Sequence, residues 1–566
     1  LHAYPYAADA STFIVETREE TWRAVGLDRA SLADSVAFCE GLFAAQLQGH
    51  GLLAQAGPGA GWLNFRRVSN PRWHHGNVVL IGDAAHTAHF SIGSGTRLAL
   101  DDAAALAEEV CRGGTMGDAL QRYQARRQTE ALRLENAARN RMEWFENVAR
   151  YAAFDPLQFS YSLLTGSQRV GHASLRQRDP AYVEQVEKGL SGAVAETPPP
   201  MFTPFKLRGL TLKNRVVVSP MAMYSCRDGL PGDFHLTHLG ARALGGAGLV
   251  FTEMTCVAPA ARITPGCAGI WNDEQATAWA HIVSFVHERT RARIGLQLGH
   301  AGPKGSTRIG WEGMDEPLAS GNWPLLAASD LAYAPGHQVP RAMDRADMDC
   351  ARDLFAAAAR RGAKAGFDLL ELHCAHGYLL ASFISPLTNR RQDEYGGALE
   401  NRLRYPLEVL AALREVWPAQ KPLAVRISAH DWAEGGTTPD DAVAMALAFK
   451  AAGADIIDVS SGQTTPASRP RYGRMYQTPF ADRIRNEAGI AVITVGNITE
   501  PDQVNTIIAA GRADLCALGR PHLADPAWTL HAAARQGYDA MDWPLQYQPG
   551  KAQLAMRLRR ETERKD

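Results

Sequence analysis

Ala365-Gly-Phe-Asp-Leu-Leu-Glu-Leu-His373 combines a helix stop, a short apolar run and a polar end within nine positions. Glycine is the residue that most often ends a helix, and the leucine-rich run after it is typical of a buried strand. Two later stretches repeat the pattern, Ala452-Gly-Ala-Asp-Ile-Ile-Asp-Val-Ser460 and Ala510-Gly-Arg-Ala-Asp-Leu-Cys-Ala-Leu518. This repetition predicts alternating helices and strands and therefore an α/β fold.

Eight such runs follow Pro200, and alanine-rich helical stretches separate them. The predicted strands are 215–219, 249–253, 294–298, 368–373, 423–428, 455–460, 491–495 and 514–518. Eight strands alternating with helices over this length predict one (β/α)8 TIM barrel. The alternative is an open doubly wound sheet, which normally carries a glycine-rich turn after its first strand. Ser219-Pro-Met-Ala-Met-Tyr224 is not such a turn.

Polar or special residues stand at the carboxyl end of every predicted strand, where barrel enzymes place their reactive groups. They are Ser219 to Tyr224, Glu253 with Met254, Gln297, His373 to Tyr378, Arg426, Ser460 to Gly462, Gly496 with Asn497, and Gly519 with Arg520. A buried Arg426 needs an anionic or strongly accepting partner. The glycines after the last two strands, together with Arg520, are typical of a phosphate site.

His373 and His376 stand three positions apart and admit two interpretations. They could form half of a metal site, but no third ligand with matching spacing is evident, so we expect no metal. With Tyr378 they suit another task, in which two donors hold a carbonyl oxygen and a proton is supplied as charge develops.

Residues 201–550 resemble the old yellow enzyme family of FMN-dependent ene-reductases. The motifs that carry the resemblance are Ser219-Pro-Met-Ala-Met-Tyr224, Gly269-Ile-Trp-Asn272, Gln297-Leu-Gly-His-Ala-Gly302, Glu371-Leu-His-Cys-Ala-His-Gly-Tyr-Leu379, Ser385-Pro-Leu-Thr-Asn389 and Asp393-Glu-Tyr-Gly-Gly397. The resemblance implies that FMN is held by Ser219, Pro220, Met221, Ala222, Met254, Gln297, Arg426, Gly519 and Arg520, and we add Gly462, Gly496 and Asn497 from the strand ends.

The same resemblance implies a catalytic group of His373 and His376, which bind the substrate carbonyl, and Tyr224 and Tyr378, which line the pocket. It further implies NAD(P)H as the reductant and a homo-oligomer. Arg426 would stabilise the anionic reduced flavin. Ala222 stands where many members of the nearest subgroup have cysteine, so thiol tuning of the flavin is not expected.

Upstream, residues 77–81 predict a short buried strand, and residues 99–111 and 118–151 predict amphipathic helices. Gly82, Asp83, Gly93 and Gly95 between them resemble the second FAD motif of aromatic-ring flavoprotein monooxygenases. The first motif, G-x-G-x-x-G, is absent from residues 1–75. Two alternatives stay open, an FAD-binding segment and a docking remnant without cofactor, and FAD is expected in a full-length parent.

Three consecutive prolines end the stretch Ala193-Val-Ala-Glu-Thr-Pro-Pro-Pro200 and predict a domain boundary. We expect a partial monooxygenase domain at 1–165, a linker at 166–200 with little helix, the barrel at 201–550 and a C-terminal tail at 551–566. The pairing resembles the 2-aminobenzoyl-CoA monooxygenase/reductase family and its salicylyl-CoA 5-hydroxylase relatives. That resemblance implies a bifunctional enzyme acting on an aromatic CoA thioester.

Composition narrows the function classes. The 566 residues include 59 basic and 60 acidic side chains, so we expect no nucleic-acid partner, and no apolar run approaches a bilayer span. The eight cysteines form no C-x-x-C pair, which favours a reduced, cytoplasmic protein. The start at Leu1 suggests a piece of a longer chain. Alternatives to the bifunctional enzyme are a free-standing ene-reductase for small enones and a barrel without turnover, which the complete set of polar strand ends disfavours.

Overall fold

The computed structural model describes residues 1–54, 61–192 and 197–564, which form two compact units. One consists of Leu1–Ala152 with Leu163–Val170, and the other of Ala153–Ser162 with Gly171–Asp566. Within the described residues, no helix has both the length and the apolar character that a bilayer crossing requires.

The first unit is mainly helical. Its helices are Glu19–Ala24, Leu32–Leu42, Ala44–Leu47, Gly95–Cys111 and Met116–Glu146, and two small antiparallel pairs join His2–Pro5 to Ser11–Ile14 and His74–His75 to Val78–Val79. Both predicted helices are confirmed. The predicted buried strand at 77–81 is wrong, because only Val78–Val79 pairs and Val78 is 60% exposed. Trp73 and Tyr123 instead fill the core beside Ala85 and Ala105.

Eight parallel strands close into a barrel in the second unit, and all eight predicted strands are confirmed. We label them β1 Val216–Val218, β2 Leu249–Phe251, β3 Arg293–Gly299, β4 Leu369–Cys374, β5 Leu423–Ser428, β6 Ile456–Ser460, β7 Ala491–Thr494 and β8 Leu515–Leu518. Each strand pairs with the next, and β8 pairs with β1. The fold is therefore a TIM barrel, and the open sheet is excluded.

Helices follow the strands around the barrel: Asp233–Leu244, Asp273–Arg289, Arg345–Ala365, Leu399–Val416, Pro439–Ala451, Thr478–Arg483, Pro501–Ala509 and Trp528–Arg535, with short helices Leu379–Ile384 and Arg520–Ala524 at the loops. Capping residues in the sequence determine where several of these helices begin and end. Asp344 accepts from the amide of Asp347 at the start of Arg345–Ala365, and Gly366 ends that helix with φ 97°.

Alternation along the strands divides the barrel interior into two halves. Near the amino-terminal ends, inward positions such as Leu369, Ala424 and Ile456 belong to one apolar cluster. Two positions later, the same face of each strand carries Glu371, Arg426 and Asp458. Because side chains repeat every second residue, these polar groups line the interior nearer the carboxyl ends. The site must therefore lie there.

The connector differs from expectation. Helices Pro156–Thr165, His172–Arg178 and Pro180–Ser191 replace the predicted irregular segment, and buried Val183 and Leu175 anchor the last two. Residues 193–196 of the predicted boundary lie outside the described residues. The segment called a tail is largely the helix Gln548–Glu563.

Candidate active site

Arg426 on β5 is the centre of a buried polar cluster. Its Nη1 lies 2.9 Å from Asp458 Oδ2 on β6 and 3.5 Å from Ser219 Oγ beyond β1. Arg426 is only 6% exposed and therefore needs an acidic partner. Asp458 supplies that partner. Within the described chain, Arg426 Nε has no hydrogen-bond acceptor. A buried donor of this kind fits an acceptor on a bound cofactor.

Glu371 on β4 completes this cluster from the other side. Gln297 Nε2 on β3 donates to Glu371 Oε1 at 2.7 Å, and both side chains are buried. Burial, helped by the charge of Asp458, raises the pKa of Glu371 to about 8, so its carboxyl group is mainly protonated at neutral pH. The sequence reasoning missed Glu371 and Asp458 as site residues, although an acid inside each leucine- or isoleucine-rich strand was a visible signal.

His373 and His376 come together as predicted, with ring centroids 5.1 Å apart. The Ala375 amide donates to His373 Nδ1 at 3.2 Å, which leaves the proton of the neutral ring on Nε2. Burial lowers the pKa of both histidines well below the usual value, and the charges of Arg426 and Lys304 lower it further. Both rings are therefore neutral.

His376 is held at its amide and at its ring. Its N–H donates to Ser428 Oγ at 3.0 Å, and its Nε2 lies 2.7 Å from Ser460 Oγ. A Ser460 hydroxyl that donates to Nε2 leaves the ring proton on Nδ1. Ser460 and Ser428 are functional candidates whose contacts the sequence could not show, because they come from β6 and β5.

Tyr378 and Tyr224 border the histidine pair. The Tyr378 ring lies 5.0 Å from that of His373, and Tyr224, half-buried with φ 47°, faces Trp311 at 6.3 Å. Burial raises the pKa of both phenols, so both stay protonated and able to donate. The two tyrosines thus supply proton donors beside a pair of neutral imidazoles.

The predicted phosphate side lies beyond β7 and β8. Gly496 has φ 115°, and a Cβ there would lie 2.6 Å from Gln477 Nε2, so only glycine fits. A Cβ at Gly519 would make only an ordinary 3.6 Å contact with Met221. Arg520 is exposed at this edge, while Asn497 donates to the Gly473 carbonyl at 3.1 Å. The space and charge here suit a phosphate.

The remaining predicted flavin contacts surround the same opening. Pro220 and Met221 are half-buried, Ala222 is exposed, Met254 is buried, and Gly462 adopts φ 73°. Met254 packs so closely on β3 that a Cβ at Gly299 would lie 2.4 Å from its Cγ. The polar barrel centre and this apolar rim together fit a flavin ring.

In the first unit, the motif at 82–95 is built around buried Asp102. Its carboxylate accepts from the Gly82 amide at 2.9 Å and from Arg127 Nε at 2.8 Å, and it pairs with His86 Nε2 at 2.9 Å. Burial opposes ionisation, but the bonds from His86 and Arg127 lower the pKa of Asp102. Asp83, Gly93 and Gly95 are exposed or half-buried beside this anchor. The motif thus presents exposed residues beside a buried, hydrogen-bonded Asp102.

A cavity of about 460 Å³ lies among the loops after β3 to β6, lined by Tyr333, Arg390, Glu434 and Thr464 among others. It contains none of the predicted site residues. Over the described part of the chain, no group of three or more histidine, cysteine or acidic side chains is arranged to hold a metal ion.

Comparison with known proteins identifies both units. The sequence profile of the NADH:flavin oxidoreductase / NADH oxidase family matches residues 200–537, and that of an FAD binding domain matches residues 54–138. NADPH dehydrogenase of Geobacillus thermodenitrificans is 44% identical over 352 residues, 62% of this chain and 98% of the relative. NADPH dehydrogenase of Listeria welshimeri is 40% identical over 349 residues, 61% of this chain and 98% of the relative.

Solved structures agree. Morphinone reductase in complex with tetrahydroNAD superposes with a TM-score of 0.51 at 28% identity, covering 61% of this chain and 93% of that chain. A 2-naphthoyl-CoA reductase complex has a TM-score of 0.54 at 24% identity, covering 60% and 52%, and it supports the fold alone. The matched families use FMN, FAD and NAD(P)H. The chain therefore belongs to the NADH:flavin oxidoreductase / NADH oxidase family, as a flavin-dependent NAD(P)H oxidoreductase of the old yellow enzyme type with an FAD-binding domain upstream of its barrel.

Proposed function

We propose that the barrel holds FMN with the residues at its carboxyl-terminal opening. Arg426 and Gln297 would meet the pyrimidine edge of the ring, and Arg520 with the Gly496 and Gly519 backbone would hold the phosphate. Ser219 to Ala222, Met254, Gly462 and Asn497 would complete the site. When bound, FMN supplies a hydride that it has received from NAD(P)H.

The observation that carries this proposal is the neutral histidine pair beside a buried arginine. With Ala375 donating to His373 Nδ1 and Ser460 donating to His376 Nε2, His373 Nε2–H and His376 Nδ1–H would present two donors to one carbonyl oxygen. As negative charge develops on that oxygen, the two donors stabilise it, and Tyr378 or Tyr224 donates a proton to the neighbouring carbon. The reaction class is reduction of an alkene conjugated to a carbonyl or thioester.

For the natural substrate we propose an aromatic CoA thioester, 2-aminobenzoyl-CoA or its salicylyl analogue. Support comes from the FAD-binding match upstream, because a bifunctional enzyme that hydroxylates the ring before the barrel reduces it would need a second flavin domain. We assign residues 1–165 to the monooxygenase part, 166–200 to a linker that is largely helical, 201–550 to the barrel and 551–566 to a tail that is largely helical. Reduction of small enones is the second candidate, favoured by the NADPH dehydrogenases that match the barrel alone.

Denaturing the purified protein and identifying the released flavins tests the cofactor assignment. We expect one FMN per chain, with FAD at a lower ratio. Turnover of a 2-enone by a His373→Ala, His376→Ala double variant tests the chemistry. Loss of one oxyanion donor costs about 10²–10³ in rate, so near-normal turnover would refute the carbonyl site. A small enone reduced well and an aryl-CoA not at all would favour the second candidate.

A further inference from the structure

Lys304 places a buried ammonium group behind the histidine pair. It ends the short turn Gly302–Lys304 after β3 and is only 5% exposed. Its Nζ donates to the carbonyls of His376 at 3.3 Å and Gln463 at 3.2 Å. The rings of Tyr333 and Tyr378 lie 4.4 and 5.4 Å from Nζ. Carbonyl oxygens and aromatic faces thus surround the cation.

The two carbonyls belong to residues in an uncommon backbone conformation. His376 and Gln463 each have φ 63°, a left-handed geometry that residues other than glycine seldom adopt. His376 follows β4 and Gln463 follows β6, so Lys304 joins two loops that neither strand pairing nor sequence proximity connects. By binding the His376 carbonyl, it adds a backbone anchor to those from Ser428 and Ser460.

The charge of Lys304 also acts on the site. Throughout residues 1–54, 61–192 and 197–564, no carboxylate forms an ion pair with it, and Asp315 acts only at longer range. Burial lowers the pKa of Lys304 to about 8, which leaves it mainly protonated at neutral pH. The titratable and charged groups around it are His373, His376, Tyr333, Tyr378, Arg426 and Asp315.

We propose that Lys304 is a positioning residue that orients His376 through its carbonyl and whose positive charge stabilises the anionic form of an oxygen bound between the two histidines. The proposal rests on the proposed function, because it needs His373 and His376 to form the oxygen site. It adds a cation that would act on the bound oxygen by raising the electrostatic potential where charge develops, and not by a direct contact.

Binding of 4-nitrophenol measures this effect directly, because its oxygen can be bound as phenol or phenolate. We would compare the holoenzyme with Lys304→Met, which keeps the chain length, and Lys304→Arg, which keeps the charge. The methionine variant should bind phenolate about 10-fold more weakly and raise the pKa of the bound phenol. The arginine variant should stay near the parent. In the parent alone, phenolate affinity should fall as pH rises through about 8.

Equal phenolate affinity and equal bound pKa in the parent and Lys304→Met would overturn the proposal. If the methionine variant does not retain FMN, the alkaline titration decides, because a parent profile as flat as that of Lys304→Arg also overturns it. The His373→Ala, His376→Ala variant distinguishes a failure of the proposed function from a failure of the role proposed for Lys304. Normal 4-nitrophenol binding there contradicts the proposed function, whereas lost binding there with intact binding in Lys304→Met contradicts only the role of Lys304.

Discussion

At the residue scale, single contacts set the chemical state of each group in the site. Ser460 Oγ forms a hydrogen bond with the ring of His376, the Ala375 amide donates to the ring of His373, and Asp458 forms an ion pair with Arg426. None of these partners binds the carbonyl oxygen in the proposed reaction. Ser460 and Ala375 determine which ring nitrogen carries a proton, and Asp458 determines how much positive charge Arg426 presents to the proposed flavin. Their removal should therefore alter rates or potentials before it alters the fold.

Ser460→Ala should reduce kcat/KM for a 2-enone by about 5-fold, because one hydrogen bond is worth about 1 kcal/mol and His376 loses the contact that fixes its tautomer. Steady-state kinetics with measured FMN content checks this. Ser225→Ala is the control, since Ser225 Oγ is exposed and donates only to the Met223 carbonyl. Equal kcat/KM in the two variants would contradict the role of Ser460.

Asp458→Asn and Arg426→Ala should shift the flavin potential in opposite directions. Removing the buried carboxylate leaves Arg426 unbalanced and should raise the midpoint potential by about 30 mV, which is ~1.4 kcal/mol for a two-electron couple. Arg426→Ala should lower the potential or lose FMN, because the anionic reduced ring loses its cation. Spectroelectrochemical titration measures both, and shifts of the same sign would rule out this electrostatic account.

At the scale of elements, neighbouring strands and loops are locked together at the carboxyl-terminal opening. Gln297 of β3 donates to Glu371 of β4 inside the barrel. Above the strands, Gly302 after β3 lies against the start of helix Leu379–Ile384, where a Cβ would be 2.6 Å from the Leu379 amide nitrogen. The histidine loop after β4 is thus fixed from below by a polar contact and from the side by close backbone packing.

Glu371 should make stability fall with rising pH. Its folded pKa is about 8, above the ordinary value of 4.5, so between these values the folded chain holds a proton that the unfolded chain has lost. The free energy of unfolding therefore decreases as pH rises through this window. Glu371→Gln keeps an acceptor for Gln297 and lacks this loss, so its stability relative to the parent should gain roughly 3–4 kcal/mol at pH about 8 compared with pH about 5, at about 1.4 kcal/mol per pH unit. Chemical denaturation at the two pH values checks this, and an unchanged difference would contradict it.

Gly302→Ala should destabilise the barrel by about 2 kcal/mol or more, because the new Cβ meets backbone that cannot move away. Gly336→Ala is a matched control. Gly336 also has a left-handed backbone, with φ 83°, but its Cβ would meet nothing within 4 Å. The control should therefore show only the conformational cost of about 1 kcal/mol. Thermal unfolding of both variants tests whether the loop contact exists, since equal losses would argue against it.

At the scale of the whole molecule, the two units are unequally equipped for their proposed reactions. The barrel brings the residues proposed to bind flavin, to bind the carbonyl oxygen and to donate a proton to one opening. The first unit offers Asp83 and Gly93 to Gly95 for one end of FAD, and its residues 1–75 contain no G-x-G-x-x-G turn for the pyrophosphate. Because the first unit has residues for only one end of FAD, we expect it to bind FAD weakly. The reaction proposed for the barrel should therefore be detectable in this chain, and the reaction proposed for the first unit should not.

This chain should oxidise NAD(P)H and reduce an activated alkene without hydroxylating an aryl-CoA. The measurement is product analysis under oxygen with added FAD. The control is Asp83→Ala, which should leave alkene reduction unchanged because Asp83 lies in the other unit. A hydroxylated aryl-CoA that needs FAD and disappears in Asp83→Ala would show that the first unit is catalytically complete.

The sequence predicted the barrel well because its signals are local: each apolar run has a strand's length, and glycines mark the helix ends before it. It also placed His373, His376 and Arg426 at one opening. It could not reveal Ser460, Asp458 or Lys304 as partners, because those contacts join different strands and loops. The connector helices were missed since their apolar residues, such as Val183, are few and widely spaced.

The seam between β8 and β1 has a consequence for biosynthesis. The Ser219 amide donates to the Leu518 carbonyl at 3.1 Å. The first barrel strand to be translated therefore pairs with the last barrel strand to be translated. In the proposed FMN site, Ser219 lies on one side of that seam and Arg520 on the other. A nascent chain should therefore not take up FMN until nearly all of the barrel has been translated, and a product that terminates before β8 should lack FMN. FMN released from a preparation thus reports finished chains.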